Sequence, residues 1–365
     1  LKRNVLIIGV VLLLLAGCFG KEEEKQKEVR EEPKQMEIKE SIKKLTVDRA
    51  SFHFIVDWLT NTEILYVEKK EGFYLLKSFD VLTGETKIIY EEPTIIADVF
   101  IHPTRELVLL HTTDHPSSAT VKIISLAGVL QNEVTIQSNE LEIEWNDINP
   151  EYLLLTAFHQ DWSFDVFLFD GLKNNLQLIS NEDPFPKWLG SEHFILTELD
   201  THPLDGGKLF LYDRQTGEKI DTVEDQVVLY DTFKESLLHM RINDSGQAEY
   251  TIVDILGVEL ARWTMPAISN YSEWVMPFIQ WLASDSVIVN RPLESGLLDE
   301  IEEAYDIVKI EGNEEKVLLN ETLNSSIKCT PDTKKCITGP MLETIIDVET
   351  DKGKKWLLYE YESNI

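Results

Sequence analysis

The chain reads as an all-β protein, a β-propeller built of four-stranded antiparallel blades, on three observations. Landmark residues at Trp58, Phe100, Trp145, Trp188, Tyr230, Trp281 and Ile327 recur at spacings of 42, 45, 43, 42, 51 and 46 residues, and a period of roughly 40 to 50 is that of propeller blades. Each period holds four short runs rich in β-branched and aromatic residues, divided by turn residues. Helical signals are scarce, with one or two turns expected inside "LLDEIEEAYDIV" at 297–308. Counting landmarks gives seven blades. If the two weakest units, the first and the last, merge into one closing blade, the count is six.

The clearest unit is Leu141 to Glu182, "LEIEWNDINPEYLLLTAFHQDWSFDVFLFDGLKNNLQLISNE", with turns at Asn149-Pro150, Gln160-Asp161 and Gly171 to Asn175. The same order of runs follows Val56, Pro186 and Phe278. Trp58, Trp145, Trp188 and Trp281 stand at the blade period, which predicts indoles wedged between blades, not presented to a ligand. Asp80, Asp170, Asp213 and Asp254 follow the third run of their units, where a carboxylate caps the turn into the fourth strand. His102, in "IHPTRE", falls in a turn between strands one and two.

Before the repeats, Lys2 and Arg3 precede an apolar run from Val5 to Leu15. That run is too short to span a bilayer as a helix and reads as an export signal; an uncleaved membrane helix is the rival. "LAGC", Leu15 to Cys18, resembles the lipobox of bacterial lipoproteins. The resemblance implies removal of residues 1–17 and lipid attachment to Cys18. A diacylglyceryl group supplies the two chains that stable anchoring requires. Residues 21–44 hold eight basic and eight acidic residues with few apolar ones, so 18–44 reads as a solvated tether and 45–365 as the propeller.

The body carries 24 Lys and Arg against 57 Asp and Glu, nearly the whole formal charge of −31. So acidic a surface repels phosphate backbones and anionic headgroups, which argues against nucleic acid and against direct lipid binding by the folded body. The remaining cysteines sit in "CTPDTKKC", Cys329 to Cys336. The spacing lacks the partners of a zinc ribbon, and in an exported protein it suggests a disulfide across a hairpin. A pair of free thiols is the alternative.

Lipobox, charged tether, punctuated repeat and closing "CTPDTKKC" together resemble the YqgU-like β-propeller lipoproteins of Gram-positive spore formers, and more distantly the TolB-type propellers. That resemblance implies the fold and attachment to the outer face of the cytoplasmic membrane. It brings no assigned reaction, and the family is usually described as six-bladed.

There is no Gly-x-Ser-x-Gly elbow, phosphate-binding glycine loop, His-Glu-x-x-His or calcium loop, so the common enzyme classes have no linear signature here. One constellation stands out. Equivalent loops between strands two and three read "HTTDHPSS" (111–118), "HQDWSFD" (159–165) and "DTHPLDGG" (200–207). They hold His111, Asp114, His115, His159, Asp161, Trp162, Asp200, His202 and Asp205, including four of the eight histidines. Imidazole beside carboxylate suits a divalent metal or proton transfer, and Trp162 could stack on a sugar. Arg291 and the acidic run Asp299 to Glu303 belong to the same face. The same residue types also populate any exposed loop. Two functions follow: a binding or scaffolding module for protein or cell-wall ligands, or an envelope hydrolase or lyase using the His/Asp loops.

Replacing Cys18 by Ala is expected to abolish incorporation of labelled lipid and leave the signal uncleaved at Gly17. Equal labelling of both forms would refute the anchor.

Overall fold

The computed structural model describes residues 41–179, 183–199, 202–222, 224–301 and 305–360. The expected signal, the lipidation site Cys18, most of the tether, Asp200, and Glu302 and Glu303 of the acidic run lie outside them. Among the described residues the chain forms seven four-stranded antiparallel sheets, each laid down in chain order. Their first strands are Phe52–Trp58, Ile95–Ile101, Glu140–Trp145, Lys187–Leu189, Leu229–Phe233, Ile279–Ala283 and Ile327–Cys329. These are the inner strands of a ring, and those of blades one and seven pack against each other to close it. The fold is therefore a seven-bladed β-propeller, and the first and last units stay separate because each completes its own sheet.

Closure is made by a clasp of the chain ends. Leu45–Val47 pairs in parallel with Leu357–Tyr359. Beneath it Trp58, Ile64, Tyr66 and Phe79 of blade one meet Ile337 and Ile345 of blade seven around the fully buried Trp356. The Asp332 N–H adds a 3.1 Å hydrogen bond to Asn61 Oδ1 across the same junction.

All seven landmarks fall on inner strands, and the four predicted wedges are buried. Trp188 Nε1 donates to the Glu144 carbonyl of blade three at 3.1 Å. Trp281 Nε1 donates to Asp231 of blade five at 2.8 Å. The Trp145 ring meets His102, buried in the turn of blade two, at 4.9 Å. Each indole thus reaches back to the preceding blade, and Trp58 does so across the closure. The capping carboxylates behave as expected. Asp80 accepts from the Leu82 and Thr83 N–H groups at 2.8 and 2.7 Å, Asp170 from Lys173, Asp213 from Gln215 and Thr216 and Asp254 from Leu256 and Val258. The helical signal near residue 297 is a single 3-10 turn, Leu298–Glu300.

Cys329 and Cys336 stand directly opposite in the first hairpin of blade seven and are joined in a disulfide. Closing so short a loop contributes about 2–3 kcal/mol on the chain-entropy account. Replacing both cysteines by Ala should lower stability by about that amount in a denaturant melt, and the non-reduced protein should show neither thiol alkylated by mass spectrometry.

Candidate functional site in the central channel

Alternation along each inner strand divides its side chains between the wedge and the channel. Four of the strands place a polar residue just before the wedging indole: Asp57 before Trp58, Glu144 before Trp145, Lys187 before Trp188 and Gln280 before Trp281. With Glu142, Asp147, Asp231, Lys234, Lys328 and Arg105 they line a cavity of about 540 Å³. It opens toward the loops joining first and second strands, where Pro103 and Arg105 of blade two and Thr330, Pro331 and Thr333 of blade seven form its rim.

Charge inside is dense and only partly paired. Lys187 Nζ lies 2.9 Å from Glu144 Oε2. The Asp147 carboxylate accepts the Lys234 N–H at 3.2 Å, and Arg105 reaches the Trp58 carbonyl and stands 3.8 Å from Asp57. Burial pushes Glu144 up to about 7, against the pull of Lys187 and with help from Asp231 and Asp147. Lys187 moves upward, chiefly through the Glu144 charge, and stays protonated. Burial likewise raises Asp57, opposed by Lys328 and Arg105, and Asp147, opposed by the Lys234 N–H. Glu142 and Asp98 keep contact with solvent, yet the protein around the channel raises both.

The residues expected from the loops are placed otherwise. The second strand of blade two runs on through Leu107–His115, and the third begins at Ser118, so His111 and Asp114 are strand residues and the loop is reduced to a tight turn. His111 is paired in register with Asp98, and burial lowers its pKa against the Asp98 charge. His115 Nδ1 accepts the Ser117 N–H at 3.2 Å. In blade three His159 Nε2 pairs with Asp165 at 2.9 Å, while Asp161 accepts from Ser163 N–H and Oγ at 3.1 and 2.6 Å. Trp162 is 79% exposed at the tip of that turn, with φ of 65°. His202 Nδ1 accepts the Leu204 N–H at 3.2 Å and caps a 3-10 turn ending in Asp205. Arg291 is held by Asp306 and Glu315 of its own blade at 3.1 and 3.0 Å. Each of these bonds stays inside one blade, and none of these residues lines the 540 Å³ cavity. Among the described residues no group of three or more His, Cys, Asp or Glu is arranged to hold a metal ion.

A profile of the YqgU-like 6-bladed beta propeller domain matches residues 80–339. The chain belongs to that family. The matched segment contains blades two to six complete, with one strand of blade one and two of blade seven. The YqgU-like chain is 24% identical over 253 residues to the uncharacterized lipoprotein YqgU of Bacillus subtilis (strain 168), covering 68% of this chain and 69% of that one. Its fold is shared by the uncharacterized protein lmo1340 of Listeria monocytogenes EGD-e, with TM-score 0.79, 19% identity and coverage of 89% of this chain and 99% of that one. The C-terminal WD40 domain of Sif2 is similar at TM-score 0.54 and 11% identity, over 88% and 90% of the two chains.

The raised carboxylates fix the sign of a pH effect. A carboxyl whose pKa is higher folded than unfolded binds its proton more tightly in the native state, so it favours folding at low pH and loses that contribution as pH rises. For Glu144 the window runs from the ordinary value of 4.5 to about 7. Wild type should lose up to about 3 kcal/mol more than Glu144→Gln across that window in urea melts, at about 1.4 kcal/mol per unit. Parallel curves for the two proteins would contradict the assignment.

Proposed function

We propose that this YqgU-like propeller is a lipid-anchored binding module on the outer face of the bacterial cytoplasmic membrane, taking a peptide or cell-wall fragment into its central channel. The observation that carries this reading is the concentration of charge on the inner strands. Packing a ring of blades calls for apolar wedges, and the indoles supply them. It does not call for carboxylates and ammonium groups held in a cavity, where each loses hydration. At about 540 Å³ the space is within the usual range for ligand sites, roughly 300 to 1,000 Å³. Anchoring is supported by the lipobox ending in Cys18 and by the similarity to the Bacillus subtilis protein named as a lipoprotein. The acidic body favours ligands that are cationic, zwitterionic or neutral over polyanions.

Thermal unfolding of the full-length chain in detergent, with muropeptides and with short peptides, tests the proposal. A ligand at a hundred times its Kd stabilises by about 2.7 kcal/mol, which raises Tm by several degrees. The paired replacement Glu144→Leu with Lys187→Met removes both charges and leaves the fold as stable or more so. It should erase the rise. No rise with either class, or an equal rise in the double variant, overturns the reading.

A further inference from the structure

At the other end of the channel, on the side of the loops joining second and third strands, a smaller cavity of about 330 Å³ opens between blades one, two and seven. Phe54 and Val56, Phe100 and Met341 make its apolar wall, one set from each of the three blades. Two charged side chains enter it, Asp98 and Lys328. Lys328 and Phe100 also line the larger cavity, so this pocket is a recess of the same channel.

Lys328 is the informative group. Its strand neighbours Ile327 and Cys329 turn into the blade and are buried, and the lysine is left facing the channel. In a protein with 65 acidic residues against 34 basic ones, carboxylates are available to almost any lysine. Lys187, in the same channel, has closed on Glu144 at 2.9 Å. Lys328 has not: among the described residues neither Asp57 nor Asp98, whose charges it feels, comes within the 4.0 Å of an ion pair. Asp98 for its part accepts the Val99 N–H at 2.7 Å and has no cation at ion-pair distance among the described residues. One ammonium and one carboxylate therefore face the same apolar recess without neutralising each other. Each charge keeps some contact with solvent but has no partner in the protein, and a ligand bearing the opposite charge supplies one while its apolar part covers the wall.

We infer that this recess binds a small zwitterion with an apolar side chain, an amino acid or the equivalent part of a short peptide. Its carboxylate sits on Lys328, its ammonium on Asp98 and its side chain against Phe54, Phe100 and Met341. Charged ends alone would suit the wide cavity as well. The apolar wall selects the side chain, and the presence of both signs selects the zwitterion over a simple anion or amine. The inference rests on the channel's being a binding site, and it adds the chemistry of one subsite.

Calorimetric titration of the full-length chain with leucine, phenylalanine and Leu-Leu, and with N-acetyl-leucine and leucinamide, decides it. At least one zwitterion should bind, and the two blocked analogues of leucine should bind at least tenfold more weakly. Lys328→Met should remove binding, Lys328→Arg should retain part of it, and Asp98→Asn should weaken the zwitterions while leaving N-acetyl-leucine unchanged. The Glu144→Leu, Lys187→Met protein should still bind the single amino acids leucine and phenylalanine, which fill the recess without reaching that pair, while it loses the longer peptides and muropeptides that span the channel. Failure of every zwitterion to bind, or equal binding by a blocked analogue, overturns the inference. If muropeptides or peptides still stabilise wild type in that case, the channel reading stands without it.

Discussion

The ring depends on one repeated contact, the tryptophan of an inner strand packed back onto the blade before it, made by Trp58, Trp145, Trp188 and Trp281. Burying an indole removes on the order of 200 Å² from water, about 5 kcal/mol as an upper figure at 25 cal/mol per Å². Hydrophobic contact alone would not fix the angle between blades, because it has no direction. The indole N–H groups supply that direction. Trp188 bonds to the Glu144 carbonyl and Trp281 to the Asp231 carboxylate, so these two wedges are each tied at one atom to the neighbouring inner strand, while Trp145 donates to the Pro150 carbonyl of its own blade. A ring closes only if every such angle is right, and the constraint is met locally, blade by blade.

The junction between blades one and seven cannot rely on chain connectivity. Trp58 continues the wedge pattern there, but the closing unit must also resist opening from an edge. The parallel pairing of Leu45–Val47 with Leu357–Tyr359 ties the two chain ends together at that junction, with Trp356 buried beneath it. On the other side of blade seven, where it packs on Ile288, Ile307 and Leu318 of blade six, the disulfide holds the short inner strand to its neighbour in the sheet. That strand is only three residues long, so its position owes much to these supports, and it is the strand that presents Lys328.

Much of the fold was legible because its determinants repeat. The wedges and the capping aspartates recur at the blade period, and the structure puts them where that period implies. Strand ends were less legible. "HTTDHPSS" has the composition of a loop, yet Thr112 is buried in a continuing strand and His111 lies in register with Asp98; β-branched residues and cross-strand pairing outweighed the local turn signal. The channel was not legible as a set, because its members lie whole blades apart and each alone resembles an ordinary polar strand residue. A signal did exist. The residue just before each wedging tryptophan is Asp, Glu, Lys or Gln, at Asp57, Glu144, Lys187 and Gln280. Period-two alternation turns that neighbour away from the wedge.

That alternation sets the packing face and the channel face of each short strand in one register, and on the proposed function it couples stability to binding. Moving a wedge by one residue would bring a charge into the blade interface and an indole into the channel, so wedge and channel lining share a register and cannot drift apart. The cost falls on the charges. Glu144 and Lys187 are both largely withdrawn from water, and a buried pair of this kind seldom improves on apolar residues of similar volume. Burial pushes Glu144 up despite its lysine, while the Glu144 charge holds Lys187 up against its own burial, so within the pair the desolvation falls chiefly on the carboxylate. The wedges leave the ring enough stability to carry that burden, and a channel that served packing alone would have no reason to impose it.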